Sequence, residues 1–142
     1  MYIDLDYIKE RVKFSDLVSI TSEQNRPNEI QIAKVNSALV DASAELDNAL
    51  RQAGYVTPVD SPDAFVKRLV FDIALYYIYA SKYDDEEMKD VYVRYNKAFQ
   101  KINQIKSGDL RLDLQRISRS NSVCIMTNKS ISDTVFTKRA LR

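Results

Sequence analysis

Asp72 is the one carboxylate inside the apolar field that Phe65, Leu69, Ile73, Tyr76 and Ala80 mark out at helical spacing within residues 62–82. A carboxylate in such surroundings, with the hydroxyls of Tyr76 and Tyr79 one and two turns along, has the makings of a general acid or a buried switch. The same residues also serve as core support. A buried charge needs a partner, which Arg68 one turn earlier, or the Tyr76 and Tyr79 hydroxyls, can supply. Core support is the preferred reading, because perturbed carboxylates often belong to structural networks.

A second acidic cluster, Asp84-Asp85-Glu86-Glu87, is the nearest thing to a metal-ligand set. Consecutive residues on a helix diverge, and the alternating loop spacing of a calcium site is absent, so these acids read as a helix N-terminus, where the dipole favours negative charge. The chain has no histidine and one cysteine, Cys124. Ser-His-Asp and Cys-His catalysis, Cys/His zinc sites and an intramolecular disulfide are therefore excluded. No acid pair is marked out by spacing, and no Gly-rich phosphate loop exists. Neither an enzyme nor a cofactor is expected. The N-terminus lacks the basic-then-apolar pattern of a secretory signal, which makes the cytoplasm of the producing cell the default compartment.

These residues must be held by helices. Two Gly and three Pro in 142 residues argue for long helices, so the expected fold is an all-α bundle of three long helices with short N-terminal ones. Ser61 as N-cap and Pro62 at the first position open a helix over 62–82 that is apolar almost all round, a central core helix. Asp72, Lys67 and Arg68 interrupt it enough to argue against a membrane span. Asp4 can cap a first helix, Leu5–Lys13, and Ser15 a second with Leu17, Val18 and Ile20 inward. From Asn28, with Gln31 closing a capping box, Ile32, Val35, Leu39, Ala42, Leu46, Ala49 and Ala53 form a seam for one partner helix, ended by Gly54. Met88, Val91, Tyr95, Ala98, Ile102 and Ile105 mark a third long helix flanked by Tyr92 and Phe99 and ended by Gly108.

The chain divides into a helical domain, 1–108, and an extended basic arm, 109–142. Residues 1–106 carry 14 Lys/Arg and 17 Asp/Glu, while 107–142 carry 7 and 3, so a net charge of +1 conceals a basic C-terminal quarter. Leu110, Leu112 and Leu114 alternate with polar residues, which predicts a short strand or hairpin. Leu110, Leu112, Leu114, Val123, Ile125 and Phe136 are the candidates for docking onto another surface, although the leucines and Phe136 can equally fold onto the parent helices. At about 3.3 Å per residue the arm spans roughly 110 Å, enough to cross a neighbouring subunit. Arg111, Arg116, Arg119, Lys138 and Arg139 are the candidates to face DNA or an acidic partner.

In its order of features the chain resembles the head–tail connector, or head-completion adaptor, family of tailed bacteriophages, in particular its Mu-like prophage branch. The resemblance is carried by the opening Met1-Tyr2-Ile3-Asp4-Leu5-Asp6, the run 38–47 (Ala-Leu-Val-Asp-Ala-Ser-Ala-Glu-Leu-Asp), and a link around Pro58. Further marks are Asp72-Ile73-Ala74 with Tyr76 to Tyr79, Arg94-Tyr95-Asn96-Lys97-Ala98, Ile102–Ile105, Ser107-Gly108-Asp109-Leu110-Arg111-Leu112 and Val135-Phe136-Thr137-Lys138-Arg139. It implies a virion protein made in the bacterial cytoplasm that assembles as a ring of twelve copies at the neck. Its partners would be the portal protein, a downstream neck or tail protein, and packaged DNA touched without sequence specificity; no membrane is involved. The competing reading is a sequence-independent nucleic-acid-binding or regulatory helical domain. Against it, no helix shows a Lys/Arg stripe, and the arm has no aromatic interleaving for base stacking.

Overall fold

The computed structural model describes residues 1–23, 28–84 and 88–117. Five helices follow in order: α1 (Leu5–Lys9), α2 (Phe14–Thr21), α3 (Ile32–Gln52), α4 (Ala64–Ala80) and α5 (Lys89–Ser107). The fold is all-α, with three long helices and two short ones. Over residues 109–117 the expected strand is replaced by one isolated antiparallel bridge, between Tyr55 and Arg116, and the rest of the arm lies outside the described residues.

α4 is the centre. Nine of its 17 residues are buried, on faces turned to α3, to α5 and to the short N-terminal helices. Its cap is not Ser61: Asp63 is the N-cap, its carboxylate accepting the Val66 N–H at 2.8 Å, and Pro62 precedes the cap instead of opening the helix. Asp63 wins because the free amides of Val66 and its neighbours need an acceptor three residues upstream, the reach of a capping side chain.

α3 supplies the main partner for α4. Val35, Leu39, Ala42, Leu46 and Ala49 are all buried, and the alanines let the two helices approach closely. The helix starts at Ile32, not Asn28, and Gln31 makes no capping bond with its side chain. The acceptor comes from elsewhere in the fold: the Thr21 hydroxyl at the end of α2 takes the Gln31 N–H at 3.2 Å. Ile32 is consequently exposed, outside the seam.

Both glycines are C-terminal stops with positive φ, 83° at Gly54 and 84° at Gly108. At the end of α3, Tyr55 N–H bonds the Leu50 carbonyl at 2.9 Å and Gly54 N–H the Arg51 carbonyl at 3.1 Å, which satisfies the last free carbonyls. Asp4 caps α1 through Tyr7 N–H, but that helix ends at Lys9, and α2 opens at Lys13 instead of Ser15. The first turn of α5 holds Asp90; residues 85–87 of the acidic cluster lie outside the described residues.

The N-terminus is stitched to the body by one buried phenol. The Tyr2 hydroxyl donates to the Asp47 carboxylate on α3 and accepts the Val59 N–H at 3.0 Å. Burial and the bond to Asp47 push its pKa up to about 12.

Candidate assembly surface

The exit segment behind Gly108 carries the first of the predicted docking residues. Leu110, Leu112 and Leu114 are half-buried against the core of their own chain, while Arg111, Asp113 and Gln115 are exposed. The alternation is genuine, but an extended segment lying on helices satisfies it without a partner strand. Val56 N–H bonds the Gln115 carbonyl at 2.9 Å and Ile117 N–H the Gly54 carbonyl at 2.8 Å.

The anchor of this segment is Tyr55, only 1% exposed. Its hydroxyl accepts the Leu112 N–H at 2.9 Å and an Arg116 guanidinium N–H at 3.3 Å, with that guanidinium 5.1 Å from the ring centre. Burial opposes ionisation of the phenol, but the Leu112 N–H, Arg116 and Arg111 outweigh it and its pKa is lowered. Arg116 is thus engaged by Tyr55, and Arg111 remains at the surface. Val123, Ile125, Phe136, Arg119, Lys138 and Arg139 lie outside the described residues.

Asp72 is buried, with 8% exposure, and it pairs more closely with Arg94 than with the expected Arg68. Arg94 of α5 donates to a single carboxylate oxygen from Nε at 3.0 Å and Nη2 at 2.5 Å. Arg68 stands at 3.9 Å from the other oxygen and is mostly exposed. A partner 22 residues away on another helix is invisible to local spacing, which points to Arg68, Tyr76 and Tyr79. The Arg94 guanidinium also sits 5.3 Å over the Phe71 ring. Asp72 is therefore the electrostatic clasp between α4 and α5.

Aromatic rings continue the seam. Tyr76 stacks on Tyr95 at 4.1 Å, Tyr95 on Phe99 at 6.1 Å, and Tyr92 lies 6.2 Å from Tyr76. Tyr77 donates to Glu45 of α3 at 2.5 Å, and burial with that carboxylate raises its pKa. Tyr79 lies apart, 6.1 Å from Tyr83, its pKa raised chiefly by burial.

On the flank of the clasp opens a groove of about 380 Å³ lined by α4 and α5 alone. Phe65, Leu69 and Ala98 supply its apolar surface, and Arg68, Arg94, Lys97 and Lys101 its cations. This corrects the reading that no helix carries a basic stripe. Arg94, Lys97 and Lys101 recur at spacings of three and four, and residues 91–107 contain no acid. That signal was present in the sequence but was overshadowed by the more basic arm, and Arg68 joins it only through folding.

Residues 2–123 match the family model described as Bacteriophage Mu, Gp36. The chain belongs to this family. It is a protein of Mu-like bacteriophages, and membership in the Gp36 family suggests a structural, virion-related component. The matched range takes in all five helices, the clasp, the groove and the Tyr55 anchor of this Gp36-family chain. Among curated proteins no match was found. Among the described residues no helix is long and apolar enough to cross a membrane, and no three metal-ligating side chains converge.

Proposed function

We propose that this Gp36-family protein is a head–tail connector: a virion component at the neck that forms a ring beneath the portal, extends the DNA channel and receives the next neck or tail protein. The match to the phage family over residues 2–123 carries the reading. The architecture supports it. A closed ring built head to tail needs two different complementary surfaces on each subunit. The helical body offers a basic groove on α4–α5, and the exit segment fixes where the arm leaves the body. The role is structural and not catalytic: Asp72, the acid best placed for chemistry, is tied up in its ion pair with Arg94.

Twelve copies, a portal on one side and a tail-side protein on the other are the assembly this reading implies. In it, Leu110, Leu112 and Leu114 hold the root of the arm against its own body. Val123, Ile125 and Phe136 dock beyond it, and Arg111 with the distal cations faces DNA. Mass photometry of the purified protein with and without the portal of the same phage, followed by negative-stain imaging, tests this. Closed rings, alone or on the portal, are expected; a monomer that ignores the portal at all concentrations would sink the proposal.

One observation favours a second reading. The stripe Arg94, Lys97 and Lys101 is an electrostatic footprint suited to phosphates. Under that reading the monomer binds duplex DNA without sequence preference and releases it steeply as salt rises.

A further inference from the structure

The α4–α5 groove is a basic patch on an acidic body. Residues 1–117 carry 16 Lys/Arg and 19 Asp/Glu, yet the groove collects Arg68, Arg94, Lys97 and Lys101 against the single acid Asp72. The geometry divides these cations by role. Arg94 is committed to one oxygen of Asp72 through both of its N–H contacts. Arg68 stands 3.9 Å from the other oxygen, beyond hydrogen-bond distance, with its side chain 77% exposed. Lys97 and Lys101 are exposed one turn apart, and no carboxylate among the described residues pairs with either. Three cations are thus available beside the apolar surface of Phe65, Leu69 and Ala98.

We infer that the α4–α5 groove receives a short acidic segment of a different protein. That segment sets a large apolar side chain on Phe65, Leu69 and Ala98 and offers carboxylates about one turn apart to Lys97 and Lys101, while Arg68 turns from Asp72 to meet it. The inference rests on the connector reading, in which this protein meets a portal and a tail-side protein, and gives one of those contacts its chemistry. Clustered cations around an apolar floor are a recurring way to recognise an acidic motif. At about 380 Å³ the groove lies at the small end of ligand-sized clefts, with room for a few side chains of a docked segment.

Chemistry separates this occupant from the others on offer. The chain's own residues 118–142 carry five Lys/Arg and one acid, the wrong sign for a basic groove. The described body of a second copy has few carboxylates to lend: Tyr77 holds Glu45, Tyr2 holds Asp47, and Asp4 and Asp63 cap their own helices. Nowhere among its described residues do two carboxylates without a bond to their own chain stand one turn apart, the spacing the two lysines call for. Duplex DNA has the right sign, but its charge continues far beyond the groove over a body that is otherwise acidic, and it has no apolar side chain to place on Phe65 and Leu69. A short acidic segment keeps its charge within the roughly 10 Å over which the groove's cations act at 0.1 M salt.

The test offers the full-length protein overlapping synthetic peptides that cover the portal, the tail-side protein of the same phage and this chain itself. Captured peptides are then titrated by fluorescence anisotropy at low and high salt. They are expected to come from the portal or the tail-side protein and to carry at least two acids beside a large apolar residue. Lys97→Glu with Lys101→Glu, its helix content checked by circular dichroism, should bind them at least about tenfold more weakly. The same peptides with their acids replaced by lysine should prefer that variant to the natural protein. Capture of no acidic peptide, or capture that the lysine variant leaves unchanged, would overturn the inference, while rings that still form on the portal would keep the connector reading. Acidic peptides captured by a protein that never forms rings would remove the connector reading and leave the groove's chemistry standing. A captured peptide from this chain would make the groove a contact between copies. A duplex DNA fragment bound by the natural protein and released by the lysine variant would assign it to nucleic acid. Either of these last two results overturns the inference.

Discussion

α4 and α5 are nearly equal in length, 17 and 19 residues, yet nine residues of α4 are buried and only three of α5. The first is an internal strut, covered on several sides by its own chain. The second is a lid on that strut, fixed by Ala98, Ile102, Ile105 and the Asp72–Arg94 clasp, with most of its circumference facing outward. The difference teaches where stability and recognition are written. Substitutions in α4 should be felt by the fold, and those on the outer face of α5 by whatever the protein meets.

The largest effect is expected from truncating the strut. Ile73→Ala, at a fully buried position, should destabilise by about 2–5 kcal/mol in urea unfolding. A loss under about 1 kcal/mol would deny α4 its central place. Next comes the clasp. Arg94→Ala leaves the buried Asp72 carboxylate without its main partner; because the Arg94 side chain is 44% exposed, the loss should be about 2 kcal/mol, less than for a fully buried pair. Arg94→Lys should restore only part of it, since one ammonium cannot reproduce the two N–H contacts.

Tyr55→Phe removes the acceptor of the Leu112 N–H while keeping the buried ring. It should cost about 1 kcal/mol and sharply speed hydrogen exchange at Leu112. Unchanged exchange there would detach the exit segment from its anchor. Tyr2 gives a pH test. Its folded pKa, about 12, lies above the ordinary 10, so the unfolded chain ionises first. Stability is then full below about pH 10 and falls as pH rises towards 12. Tyr2→Phe should flatten that decline relative to the natural protein. The smallest effect on folding is expected at the lid's outer face: Lys97→Glu should change stability by no more than about 0.5 kcal/mol. A large loss would mean that the outer face of α5 supports the core to the same degree that α4 does.

The sequence was most legible where the cause is local. Gly54 and Gly108 had to be helix stops because only a residue without Cβ tolerates their φ readily, and the α3 seam follows from its own three-and-four spacing. It was misleading where two nearby residues compete for one role. Ser61 and Asp63 are both good caps, and only the placement of the first turn chooses between them. The alternating leucines encode a segment with one buried side, which a strand and an extended strap share. Legibility failed where the partner is distant in sequence: Arg94 for Asp72, Thr21 for Gln31, and Tyr55 for the exit segment. The groove belongs to this class, since Arg68 and Lys97 become neighbours only after α4 and α5 pack.

The stacked rings at the α4–α5 seam also make the molecule its own spectroscopic reporter. With nine tyrosines and no tryptophan, tyrosine emission is not drained by a stronger acceptor, and the Tyr76–Tyr95 pair at 4.1 Å is close enough for coupled electronic transitions. A partner that covered the exposed Tyr92 or Phe99 would change the surroundings of those rings and, through the stack, of that pair. The near-ultraviolet dichroism of the unlabelled protein should therefore register docking as it happens, and a Tyr95→Phe variant would show how much of the signal originates in the seam.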